Sequence, residues 1–214
     1  MVIKKIAAIC KSRKTIALFD DDAAGIQWIS DGCAIYPLYE MPEMDNETVL
    51  AVLDVPEDKR AEYHVTHSAL PTAYNFADSD NTERMLDEMD VGIVFRDRKL
   101  LPARTSLGLW FFNQKYLEPL NDMDGFEIYE RETMGGQVYL AIKTGWILRA
   151  IILPMLPEPD ALAERLEMLA RELRTTIHLK EQQEKKEQEA EADQYDSLLT
   201  DEPKVDQETG EVIE

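Results

Sequence analysis

The stretch whose reading decides the fold runs from Leu107 to Met155: LGLWFFNQKYLEPLNDM (107–123), FEIYERET (126–133), QVYLAIKTG (137–145) and WILRAIILPM (146–155). An apolar strand enters a short amphipathic segment, and three further alternating strands follow. Phe112 and Asn113 stand where strand gives way to helix, and Tyr116, Leu117 and Leu120 supply the helix's apolar face. Pro119 keeps that helix, expected over 113–121, short. Gly135-Gly136 and Thr144-Gly145 are hairpin turns between the strands. Ile151 to Met155 close the run.

Outward from there, the N-terminal forty residues read as strands. Ile6 to Cys10 and Thr15 to Phe19 are expected to form a hairpin around Lys11-Ser12-Arg13-Lys14. Ile26 to Ser30 and Cys33 to Leu38 flank Asp31-Gly32, a tight-turn signal. Asp45-Asn46-Glu47 is a helix start, so 45–55 is expected to be helical, with Pro56 as its stop. A strand is expected near Tyr63 to Val65, a short helix over Thr82 to Met89, and strands over Val91 to Phe95 and Leu100 to Phe112. Past the prolines at 154, 157 and 159, the residues Leu162, Leu166, Leu169, Leu173 and Ile177 recur at helical spacing. That seam fits packing on the chain's own sheet, ahead of a short coiled coil. The expected organisation is a domain over 1–157, a helix over 158–192 and a disordered acidic tail over 193–214.

Composition narrows the function classes. Of 214 residues, 44% are hydrophobic, enough for a sizeable core. No apolar run reaches the roughly 20 residues of a membrane span, and MVIKKIAAICKSRK is a poor signal peptide, so a cytoplasmic protein without a membrane partner is expected. The formal charge is −20. Residues 1–157 hold 16 Lys and Arg against 25 Asp and Glu, a balance of −9, and the remainder holds 7 against 18, a balance of −11. Such a surface suits basic partners and opposes a grip on DNA over the whole surface.

Catalytic and metal-binding patterns are absent. Gly135-Gly136 has neither the spacing nor the following helix of a phosphate loop. Asp20-Asp21-Asp22 reads as a solvated turn, since no further acids at loop spacing complete an oxygen cage. His64 and His67 lack a Cys or acid at zinc spacing. Cys10 and Cys33 read as buried thiols. Trp28, Trp110 and Trp146, with Phe111, Phe112, Tyr129 and Tyr139, fit the alternation of a sheet core better than a stacking platform. A non-enzymatic protein without cofactor or metal is expected.

The strand–helix–three-strand run resembles the closing unit of a DNA polymerase sliding-clamp domain of the bacterial beta-subunit kind. In that family a strand leads into a Phe/Tyr-Asn-x-x-Tyr-Leu helix, and the last strand ends near Met-Pro-Met. Residues 28–42, WISDGCAIYPLYEMP, are similar to the clamp segment in which a strand reaches a Ser/Thr-Asp-Gly turn. The resemblance implies an α+β fold: antiparallel sheets in two strand-rich units, here 15–55 and 104–155, with short helices on one face and a C-terminal helix added. It also implies a replication or recombination accessory that self-associates and contacts DNA or replication proteins. Clamps carry Lys and Arg on those helices. Here DNETVLAVLDV (45–55) has none and the second helix offers only Lys115. The DNA-contact candidates are therefore Lys115 and the turn residues Lys11, Arg13, Lys14, Arg96, Arg98 and Lys99. Gln194, Leu198 and Leu199 loosely resemble the Gln-led, Leu-ending peptides that dock on clamps. The alternative is an acidic interaction module, an adaptor or inhibitor that keeps the fold without binding DNA.

Overall fold

The structure is a computed structural model that describes residues 3–87, 91–121, 123, 125–155 and 159–199, with side chains except at 159–161 and 190–199. It divides into two compact units, 1–157 and 158–214. The first is α+β.

Helix α1 (Ile3–Arg13) opens the first unit, followed by β1 (Thr15–Asp21), β2 (Ile26–Ser30), β3 (Ala34–Leu38) and α2 (Asn46–Val52). After a 3-10 turn at Glu57–Glu62 come β4 (His64–Ala69), β5 (Arg84–Met85), β6 (Ile93–Phe95), β7 (Arg98–Thr105) and β8 (Gly108–Asn113). A second 3-10 turn, Gln114–Leu120, leads to β9 (Glu127–Glu132), β10 (Val138–Thr144) and β11 (Ile147–Ile152). Eight strands form one mixed sheet in the order β4-β1-β2-β3-β11-β10-β9-β5, and β6-β7-β8 form a small second sheet.

The large sheet is built from two similar halves. In each, a helix precedes a three-stranded antiparallel meander: α1 then β1-β2-β3, and the Gln114–Leu120 turn then β9-β10-β11. The last strands of the two meanders meet antiparallel at the centre, Ile35 opposite Ile151 and Ala34 opposite Ile152. Read from either end, the six central strands repeat the same order, as a two-fold axis between β3 and β11 requires. The helical pieces α1 and Gln114–Leu120 pack against each other.

Alternation along the strands assigns the two faces. Ile16, Leu18, Ile29, Tyr36, Leu140, Ile142 and Ile152 join Ile6, Ile9 and Cys10 of α1, Val49 and Leu50 of α2, and Tyr116, Leu117 and Leu120 in one core. The opposite face presents Trp28, Ile35, Tyr139, Ala141 and Ile151, covered by Leu70, Tyr74 and Phe76.

Several local expectations are corrected. Residues 6–10 are helical, not the first arm of a hairpin. Their spacing explains it: Ile3, Ile6, Ala7 and Cys10 share one helical face, and the supposed turn is the helix's last turn and exit. Lys11 and Arg13 sit where the macrodipole favours cations, and Lys14 leaves the helix at φ 52°. The helix that matches Gln114–Leu120 is therefore α1 and not the segment at 45–55. That segment is helical over Asn46–Val52, with Asp45 Oδ1 accepting the Thr48 N–H at 2.7 Å.

The helix expected over 82–89 is instead the two-residue edge strand β5, and residues 88–90 lie outside the described set. The single run expected over 100–112 is broken at Ser106-Leu107, where Gly108 adopts φ 105°.

In the second unit, α3 spans Pro159–Leu199, past the expected end at 192. Residues 200–214 of the expected disordered tail lie outside the described residues. Within the seam Leu162 is buried and Leu166 half-buried, whereas Leu169, Leu173 and Ile177 are exposed.

Candidate nucleic-acid interface

The C-terminal end of α1, the β6–β7 turn and the second 3-10 turn converge on one groove of about 670 Å³. Arg13, Arg98, Lys99 and Lys115 line it, with Asp97 and Glu118 as the acids. Four cations against the two lining carboxylates, with the buried Asp31 beside Arg13 as a third acid, leave the groove a local balance of +1 on a chain of net charge −20. Amides and hydroxyls complete the lining through Ser12, Asn113, Gln114 and Asn121.

Each cation is set by its own element. Arg13 is the last residue of α1, and its Nε lies 3.8 Å from Asp31 Oδ2. Arg98 opens β7, with Nε 3.8 Å from Asp97 and a terminal nitrogen 3.1 Å from the Met155 sulfur. Lys115 lies two residues past Asn113, whose side-chain oxygen accepts the Lys115 N–H at 3.1 Å and so starts the 3-10 turn. The Lys115 ammonium lies 4.8 Å from the centre of the Tyr116 ring, which holds its stem along the groove wall.

Beneath the groove a buried polar cluster joins the two halves of the sheet. The Asp31 side chain is fully buried and accepts the N–H groups of Cys33 and Ala34 at 2.9 and 3.0 Å. Tyr116 donates its hydroxyl to Asp31 at 3.0 Å, and Tyr36 donates to the Tyr116 carbonyl at 2.8 Å. Burial, then the Asp31 charge, holds the Tyr116 hydroxyl well above its ordinary pKa, so it stays a donor at any physiological pH. The Asp31-Gly32 turn of one half and the 3-10 turn of the other are thereby locked together.

Of the seven candidate cations, the groove gathers Arg13, Arg98, Lys99 and Lys115. Lys14 is drawn aside into an ion pair with Glu62, and the Arg96 guanidinium lies 5.4 Å from the centre of the Phe95 ring. Lys11 is half-buried in the last turn of α1. Reading α1 as a strand hid Lys4 and Lys5 as helical cations, and hid Ser12 and Arg13 as neighbours of the 3-10 turn. The spacing of Ile3, Ile6, Ala7 and Cys10 was the available signal. Gln194, Leu198 and Leu199 lie on α3, with side chains outside the described set.

Among the described residues no helix is long and apolar enough to cross a membrane. Compared with known proteins, the chain matches no family model, no curated protein and no solved structure.

Proposed function

We propose that this chain is a non-enzymatic DNA-replication or recombination accessory of sliding-clamp type, which contacts the phosphate backbone through the groove at Arg13, Arg98, Lys99 and Lys115 and acts as an assembly of copies. The gathering of those four cations in one groove carries the reading. Its lining of cations, amides and hydroxyls suits phosphate oxygens, which position a protein on DNA without reading sequence.

Two further features support it. Each half of the large sheet is a helix followed by a meander, with the two helical pieces side by side, as in a clamp domain's paired units. The first of these pieces is α1, which carries Lys4, Lys5, Lys11 and Arg13, where the segment at 45–55 carries no basic residue.

The test is fluorescence anisotropy of a labelled DNA duplex across a salt series. Four phosphate contacts predict an affinity loss of about a hundredfold between about 50 and 200 mM salt. Arg98→Glu with Lys99→Glu should abolish binding without changing the unfolding midpoint. No affinity at the lowest salt would sink the DNA reading. It would leave the acidic interaction module, which the net charge of −20 favours, as the second reading.

A further inference from the structure

We propose that the apolar pocket beside the cationic groove receives a single unpaired base, one that carries an exocyclic amino group, from the strand whose phosphates lie in that groove. This rests on the phosphate-contact reading of the groove and adds the second part of the nucleic acid that the site takes.

The pocket lies between the two sheets and has a volume of about 230 Å³. The buried Phe112, Leu117 and Ile152 line it, as do the half-buried Leu101, Phe126 and Ile128. An apolar cavity of about 150 Å³ is enough to admit benzene, so a pyrimidine ring fits here in size and in character. Asn113, Gln114 and Asn121 line both this pocket and the groove. One shared wall therefore joins an apolar recess to the cations Arg98, Lys99 and Lys115. A nucleotide has the same two parts, an aromatic ring and an anion, held together by a sugar.

The wall also selects the ring. Asn113 Oδ1 is taken by the Lys115 N–H at 3.1 Å. Gln114 Oε1 is buried and has no hydrogen-bond partner among the described residues. A buried acceptor left without a donor is costly, so the occupant is expected to bring an N–H. Asp87, an exposed carboxylate of the same lining, is a second acceptor. Cytosine and adenine carry amino groups that donate, whereas uracil and thymine present a carbonyl oxygen at the equivalent position. An alkyl chain would fill the recess but donate nothing to Gln114, which favours a base over the tail of a fatty anion. Taking a base out of the stack costs least where it is already unpaired, so a bulge or a single strand is the form expected to enter.

The experiment is fluorescence anisotropy of the full chain at low salt with four labelled duplexes: fully paired, or with one unpaired cytosine, unpaired uracil or abasic site at the same position. The unpaired cytosine should bind about tenfold tighter than the paired duplex. Uracil and the abasic site should bind like the paired duplex, the abasic site carrying the same bend without a base. Gln114→Leu should erase the difference between cytosine and uracil. Ala103→Leu adds bulk to the pocket's lining outside the groove, and should lose the cytosine gain while keeping the paired duplex and its unfolding midpoint. Should that variant fail to fold, the wild-type and Gln114→Leu comparisons decide without it. Equal affinity for the paired and cytosine-bulged duplexes overturns the pocket and leaves the groove standing, as does a gain shared by uracil or the abasic site. No affinity for any of the four overturns both. If decanoate raises the unfolding midpoint of the wild type but not of Ala103→Leu, and cytosine brings no gain, the two cavities belong to an amphiphilic anion and the proposal falls.

Discussion

Glu83→Gln tests the energetics of the sheet's second face. Glu83 bridges two cations that the fold has taken out of water: Arg131, whose side chain is fully buried, and Lys143, whose side chain is 3% exposed. Its Oε2 lies 2.6 and 3.0 Å from two Arg131 nitrogens, and its Oε1 lies 2.8 Å from the Lys143 ammonium. The other Arg131 contacts are the carbonyls of Asn75, Ala77 and Asp78, so this cluster pins residues 75–83 across the sheet. Removing one partner of a buried pair costs about 3–5 kcal/mol, because it strands the opposite charge. Arg131 keeps three carbonyl acceptors and Lys143 keeps the Tyr129 ring at 4.8 Å, which places the expected loss near the lower end, about 3 kcal/mol. In a domain of this size that corresponds to a fall in Tm of about 6–12 °C.

Urea unfolding followed by tryptophan emission reads the effect, since Trp28 is buried on that same face. Acid provides a second reading. Burial alone would raise the Glu83 pKa, but hydrogen bonds and charge from Lys143 and Arg131 outweigh it and hold the carboxyl below its ordinary value. A depressed folded pKa contributes stability that is fully present above the unfolded value of about 4.3 and is lost as pH falls through the folded value. The gap between wild type and Glu83→Gln should therefore be widest near neutrality and close in acid. A loss below about 1 kcal/mol, or a gap that stays constant into acid, refutes the reasoning.

Two further outcomes follow from buried groups around α1. Tyr116→Phe deletes the hydroxyl that meets Asp31 and should cost about 1.5–3 kcal/mol in urea unfolding, the range for a hydrogen bond to a charged group; a silent substitution would mean that the turn of one half and the helical piece of the other are not coupled there. Cys10 is buried in α1, and burial, with the Asp31 charge, pushes its thiol up to about 12. Iodoacetamide should leave it unmodified in the folded protein at pH 8 and alkylate it on unfolding, as peptide mapping would read; rapid labelling of the native chain would contradict the helix packing.

The closing half of the sheet was readable because its signals are local. Alternation in Val138–Thr144, the Gly135-Gly136 turn and the Asn113-x-x-Tyr116-Leu117 start of the short helical piece each act within a few residues. The opening helix was misread because Ile6 to Cys10 is a short apolar run flanked by lysines, which fits either period. Only the neighbouring Ile3 and the tertiary contact with Gln114–Leu120 select the helix. Likewise Arg84 and Met85 have no strand signature of their own, and become a strand by pairing with Glu130 and Tyr129.

The candidate groove divides in the same way. Its cations were legible one by one, Lys115 on the short helical piece and Arg13, Arg98 and Lys99 in segments read as basic turns. Nothing local says that Arg13 and Lys115 share a groove with Arg98 and Lys99 while Lys14 turns away to Glu62.

By itself the sequence determined the turns at Asp31-Gly32, Gly135-Gly136 and Thr144-Gly145, the α+β composition, the alternation of the β9–β11 meander and the helical period of α3, because backbone sterics and side-chain spacing act over a few residues. The tertiary structure alone decided the pairing of β3 with β11, the partnership of α1 with the 3-10 turn and the assembly of a positive groove on an acidic chain. Those arrangements join residues some 80 to 120 positions apart, as Tyr36 to Tyr116 and Ile35 to Ile151, and no local preference encodes which distant partner satisfies a buried hydroxyl or an open strand edge.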